Sequence, residues 1–144
     1  MKLDIKIAES DSDISACMQL RWTVFVQEQN VAEHEDVDGQ DDHSIHILAT
    51  SDGIPVGAAR LQHNETYAKI QRVCVPKDHR GLGIGAEIIR FMINYVSQRG
   101  DAQFIRLGAQ MHALEFYRRL GFVEFGDQYL DAGIWHKDME LDIV

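Results

Sequence analysis

An α/β fold with a mixed, mostly antiparallel sheet flanked by helices is what the order of elements in this 144-residue chain predicts. Three observations carry that reading. Apolar residues alternate at the start of the chain and again in three runs between residues 44 and 75, separated by turn residues, which describes an antiparallel meander. Strand, helix, strand, helix and strand patterns follow, and a helix crossing between two strands makes those strands parallel. The join between the two halves is a glycine-rich turn, Gly81-Leu82-Gly83-Ile84-Gly85, running from a short apolar strand into a helix. No repeat, low-complexity tract or linker divides residues 1–144, so one domain is expected.

The elements follow in order. Residues 2–7 place Leu3, Ile5 and Ile7 on one face of a half-buried strand. Ser10, Asp11, Ser12 and Asp13 offer helix N-caps, and Ile14, Cys17, Met18, Trp22 and Phe25 recur at helical spacing toward an end near 27–30. Residues 31–43, rich in Glu, Asp and His, read as a loop. Strands are expected at 45–50, 54–63 and 67–75, with turns at Asp52-Gly53 and Asn64-Glu65. In the third, Ile70, Val73 and Val75 step by three and then two; a β-bulge produces such a slip, and a strand buried on both faces would also accommodate it. The next helix carries Ile84, Ile88, Phe91, Met92, Tyr95 and Val96 on one face and closes at Gly100. A strand at 102–107, a helix at 110–120 capped by Gly121, and strands at 122–125 and 134–141 complete the chain.

Composition bounds the function. Hydrophobic residues make up 45% and charged residues 26%, an ordinary globular balance. A chain of this size buries about two-thirds of its unfolded surface without disulfides or metals. No apolar run approaches the ~20 residues of a membrane span, and Met1-Lys2-Leu3-Asp4 leads straight into a strand pattern, so a cytoplasmic protein is expected. Cys17 and Cys74, in helix and strand patterns, are expected as buried thiols. A net charge of -9 disfavours nucleic acid and anionic membranes as partners. The acidity suits a cationic acceptor such as an amine, and it serves equally as a solubility device. Positive charge is concentrated at Lys77, His79 and Arg80, just before the glycines.

A glycine turn at a helix N-terminus presents free amides and the positive end of the helix dipole to an anion. A P-loop is excluded, because no lysine and hydroxyl pair follows Gly85. Gly81, Gly83 and Ala86 formally match the dinucleotide fingerprint, but the next strand ends Leu107-Gly108-Ala109-Gln110 without the acid that would hold a ribose. The same letters give Arg80-x-x-Gly83-x-Gly85, preceded by Arg72-Val73-Cys74-Val75-Pro76. Downstream stands Gln110-x-x-Ala113-x-x-Phe116-Tyr117-x-x-Leu120-Gly121-Phe122. With these motifs the chain resembles the GNAT superfamily, the Gcn5-related N-acetyltransferases. Val24-Phe25-Val26-x-Glu28-Gln29, the acidic loop and Asp131-x-Gly133-Ile134-x-His136-x-x-Met139 resemble the ElaA/YjcF-like group within it.

The resemblance implies direct transfer of an acetyl group from acetyl-CoA to an amine, in a cleft where the strands of Val75 and Leu107 splay apart. Arg80, Gly81, Leu82, Gly83, Ile84, Gly85 and Ala86 would bind the pyrophosphate, and Val73, Cys74 and Val75 would pair with pantetheine through backbone groups. Gln110, standing where the family has Asn, would contact CoA. Tyr117 matches the tyrosine that protonates the departing thiolate, its other reading being a core aromatic beside Phe116. For the base, the leading candidates are Glu28, at the end of the first helix, and His46, on a strand that could face the cleft; His112 and Glu115 rank below them. Cys74 as a nucleophile lacks a His and acid partner set by motif. In the loop 33–43 the calcium register fails, since Gly39 in sixth place puts Ile45 twelfth. No metal is expected, although zinc on His34, His43 and carboxylates is an alternative; the loop is otherwise expected to be solvated or to line the acceptor entrance. A non-catalytic acyl-CoA-binding module and a longer acyl donor stand as alternative functions, and a homodimer as an alternative assembly.

Overall fold

The computed structural model describes residues 2–64 and 66–143; Glu65, in the predicted turn with Asn64, lies outside the described residues, as do Met1 and Val144. The strands are β1 (Leu3–Ala8), β2 (Ile45–Ser51), β3 (Ile54–His63), β4 (Tyr67–Cys74), β5 (Phe104–Gln110), β6 (Val123–Asp131) and β7 (Ile134–Asp142). They form one sheet in the order β1-β2-β3-β4-β5-β7-β6. Every pairing is antiparallel except β4 with β5, which are parallel. The fold is a mixed α/β sheet of the expected kind.

Helix α1 (Asp11–Arg21) packs on one face, and α3 (Ile84–Arg99) on the other. Ser10 caps α1, its hydroxyl accepting from the Asp13 amide at 3.1 Å. Cys17, Leu20 and Val24 pack on Leu48, Ala58 and Cys74. Across the sheet Ile84, Ile88, Ile89, Met92 and Val96 bury against Ile47, Ala59, Leu61 and Leu107. Full burial of each such aliphatic side chain contributes about 1.5–3 kcal/mol. Gly57 makes the close approach of α3 to β3 feasible, since a Cβ there would lie 2.7 Å from Ile88 Cδ1.

Beyond Arg21 the chain widens into a π-helix, Trp22–Glu28, with Gln29 N–H reaching back to the Val24 carbonyl. The wider turn shifts the helical phase, so Trp22, expected on the core face, is 39% exposed while Arg21 is buried. Residues 31–43 are not plain loop: α2 (Glu33–Asp36) is a single turn, and Asp41–His43 forms a 3₁₀ turn.

The strand slip is a bulge. Ala58 pairs with Cys74 and Arg60 with Gln71, so one residue of β3 faces two of β4, and Arg72 sits at φ 56°. Pairing between β4 and β5 stops at Ile70 opposite Leu107, and the two strands part. Three boundaries differ from expectation. The strand expected at 102–107 runs Phe104–Gln110, because β7 continues to pair with it up to Gln110 opposite His136. That extension shortens the helix expected at 110–120 to a 3₁₀ turn, Met111–Ala113, and α4 (Leu114–Arg119). The strand expected at 122–125 runs on to Asp131, past an irregularity at Gly126, because the β6–β7 hairpin closes through Ala132 and Gly133, both at positive φ.

Candidate active site

Where β4 and β5 part, a cleft of about 820 Å³ opens between the end of the π-helix, the N-terminus of α3, α4 and the β6–β7 hairpin. Its floor is made by unequal partners. On one side β4 past Ile70 carries an edge that β5 does not pair. On the other, Gly108 and Gln110 of β5 remain bound to β7 and turn the same face to the cleft as Asp138 and His136.

Gly83 stands at the head of α3 with φ 81°, and no side chain caps the helix. Gly81 shares that φ, and the space where either Cβ would project is open. The first-turn amides are therefore available to an anion. Arg80 is held beside them: its Nε donates to the Val75 carbonyl at 2.8 Å and its Nη2 to Glu28 Oε2 at 2.6 Å. Of the expected donor-site residues, all but Leu82 line the cleft; the Leu82 side chain is 55% exposed. Gln110 Nε2 donates to Gln29 Oε1 at 2.9 Å, a bond joining β5 to the segment after the π-helix.

Tyr117 lines the cleft, with its ring edge-on to Phe116 at 5.0 Å and to Phe122 at 5.9 Å. Burial pushes its phenol up to about 12. Cys74 also borders the cleft, and burial pushes its thiol up to about 12, so it is an inert thiol rather than a nucleophile. Cys17 is likewise free and buried.

The two leading base candidates are placed elsewhere. Glu28 is engaged by Arg80 and is not among the lining residues. His46 is buried on β2 opposite Arg60, and its Nε2 donates to the Asp41 carbonyl at 2.9 Å, facing the acidic segment instead of the cleft. Glu115 pairs with Arg118 and Arg119 at the surface, and His112 does line the cleft.

The acidic segment is also not simply solvated. Arg60, fully buried, donates to both oxygens of Asp38 at 2.8 and 2.9 Å and to Asp41 at 3.0 Å. Arg21 donates to Asp36 Oδ1 at 3.3 Å, to the Asp36 carbonyl at 2.7 Å and to Asp41 at 2.7 Å. Arg72, on the bulge, donates to the Glu35 carbonyl at 3.0 Å and lies 3.3 Å from Asp36 Oδ1. These arginines take up the carboxylates that the zinc alternative needs, and among the described residues no three His, Cys, Asp or Glu side chains converge. Glu35 and Asp36 do reach the cleft wall. Sequence reading missed these arginines because the periodicity of a strand does not say which inward position carries a cation.

It also gave no role to His136, quoted above only within a motif. His136 is 9% exposed and lines the cleft. It stands opposite Gln110 on one side and Tyr129 on the other, and the Tyr129 ring stacks on it at 5.9 Å. Tyr129 donates to Asp138 Oδ1 at 2.6 Å across Gly108, where any Cβ would collide with the Tyr129 hydroxyl.

Comparison with known proteins agrees with this geometry. Residues 9–143 match the model of the acetyltransferase (GNAT) domain. The chain is 36% identical over 137 residues to the uncharacterized N-acetyltransferase YjcF of Bacillus subtilis, covering 94% of this chain and 97% of YjcF. The crystal structure of Escherichia coli ElaA superposes with a TM-score of 0.86 at 28% identity, covering 98% of this chain and all of that one. A putative N-acetyltransferase from Lactobacillus plantarum shares the fold over the full length of both chains, with a TM-score of 0.91 at 22% identity. With its cleft between parting strands and its uncapped helix behind a glycine turn, the chain belongs to the GNAT acetyltransferase family, in the group of ElaA and YjcF.

Proposed function

We propose that the protein transfers an acetyl group from acetyl-CoA to an amine. The observation that carries this reading is the union, in one cleft, of an anion-ready helix start at Gly83, a free strand edge at Val73–Val75 and a phenol at Tyr117. These residues fit a CoA thioester. The open glycine turn and uncapped α3 amides suit a diphosphate, and the β4 edge beyond the bulge suits an amide-containing arm. Acetyl-CoA, when bound, supplies the activated acyl group.

The chain's residues do the rest. Backbone N–H groups of the bulged strand stabilise charge developing on the thioester oxygen. Tyr117 holds its proton at Oη through neutral pH and delivers it to the leaving sulfur. A phenol and a thiol are of comparable acidity, so the proton moves at little cost. Glu35 and Asp131 on the walls favour a cationic molecule at the acceptor side.

Calorimetry with CoA and acetyl-CoA, followed by thiol release with a panel of primary amines, tests the reading. Tyr117→Phe is expected to lower kcat about 100-fold and leave CoA affinity within about twofold. Absence of CoA binding, or a Phe variant that loses affinity at unchanged turnover, would overturn it.

A further inference from the structure

A neutral amine sheds a proton as it attacks, and neither Glu28 nor His46 lines the cleft to receive it. We infer that His136 is the general base of the transfer, its Nε2 taking the proton from the acceptor nitrogen. This rests on the acetyl-transfer reading above and adds to it the group that activates the acceptor.

Its ring chemistry is fixed by its neighbours. His136 Nδ1 lies 2.7 Å from the Ile134 carbonyl, and a carbonyl only accepts, so Nδ1 carries the hydrogen. In the neutral ring that leaves Nε2 with a lone pair. Nε2 has no hydrogen-bond partner among the described residues, and it is not among the buried atoms sealed without a partner, as His46 Nδ1 is. A histidine more than nine-tenths buried, lining the cleft, thus keeps one accessible basic nitrogen. The ring is held on one side by the Tyr129 stack and on the other by the strand of Gln110. Tyr129, anchored through its hydroxyl to Asp138, is a positioning residue.

The step balances. The amine nitrogen bonds to the acyl carbon, the C–S bond breaks with its electron pair going to sulfur, and sulfur takes the Tyr117 proton. His136 Nε2 takes the amine proton, then releases it to solvent as Tyr117 is reprotonated, leaving amide and free thiol. The charged and titratable groups around the base are Tyr129 and Asp131 from β6, Asp138 from its own strand, and His112 from the turn after β5.

His136→Asn keeps a donor in the place of Nδ1 and removes the base. With acetyl-CoA and a primary amine that the wild type accepts, kcat is expected to fall about 100-fold, with CoA affinity unchanged. The acid limb of the wild-type pH–rate profile should vanish in the variant. His136→Gln serves as the second variant if Asn does not fold. Nitrogen NMR of the imidazole in the wild-type protein gives a readout without turnover, and a neutral ring with hydrogen on Nδ1 is expected. A ring protonated on Nε2 alone, or a variant that keeps wild-type kcat and acid limb, overturns the role of His136 while leaving acetyl transfer intact. A wild type that binds CoA but releases no thiol with any amine overturns both.

Discussion

Two clusters of buried polar groups lie on the same side of the sheet and differ in one respect. Around Arg60 every partner is supplied by the protein: Asp38, Asp41 and Gln71 meet its nitrogens, while Arg21 and Arg72 hold Asp36. Around His136 the protein satisfies one ring nitrogen and leaves the other open to the cleft. Burial costs both clusters desolvation. The first offsets that cost internally and so fixes the acidic segment against the bulge; the second leaves a bond for a substrate to make. Completeness of pairing, rather than burial or charge, separates scaffold from site.

Breaking the complete cluster should have the largest effect on stability. Arg60→Ala strands Asp38 and Asp41 beside buried surface, and the loss is expected at about 3 kcal/mol in chemical unfolding. A loss below 1 kcal/mol would mean that solvent already shares those carboxylates.

The site side is tested at its support. Gly108→Ala drives a methyl into the Tyr129 hydroxyl and should cost about 1–3 kcal/mol, lowering kcat as the ring behind His136 shifts. Adding Tyr129→Phe should recover part of that loss, a coupling that a double-mutant cycle reads directly. Strict additivity would show that the glycine matters for another reason.

The smallest effect is one of pH. Hydrogen bonds from Arg60 hold the Asp38 carboxyl well below the usual carboxylate range. Asp41 is opposed by burial, yet its bonds from Arg21 and Arg60 win and lower it as well. Groups depressed in the folded state contribute stability that is fully present above the unfolded value of about 4 and lost as pH falls toward the folded one. Urea midpoints should therefore drop more steeply below about pH 4 in the wild type than in Arg60→Ala, and equal slopes would detach this acid sensitivity from the cluster.

Much of this was legible in local sequence. The phase slip from Ile70 to Val73 and Val75 located the bulge, and the glycines with Arg80 located the anion-ready helix start. Both are properties of a few consecutive residues, set by side-chain alternation and by the backbone freedom of glycine. The open histidine of the cleft was not legible, because Glu28 and His46 were chosen for their elements and neither position reveals what lies opposite. His46 faces the acidic segment since its strand register puts it beside Arg60, whereas His136 faces the cleft since β7 inserts between β5 and β6.

The sequence by itself determined the family, the order of the strands and main helices, and the glycine-turn wall of the cleft, because those depend on motifs short enough to be read in line. Only the tertiary structure decided which polar groups are answered and which are left open. That depends on pairings such as Arg60 with Asp38, Gly108 with Tyr129 and His136 with Gln110, whose partners stand 21 to 26 positions apart in the chain and meet only when the sheet is assembled.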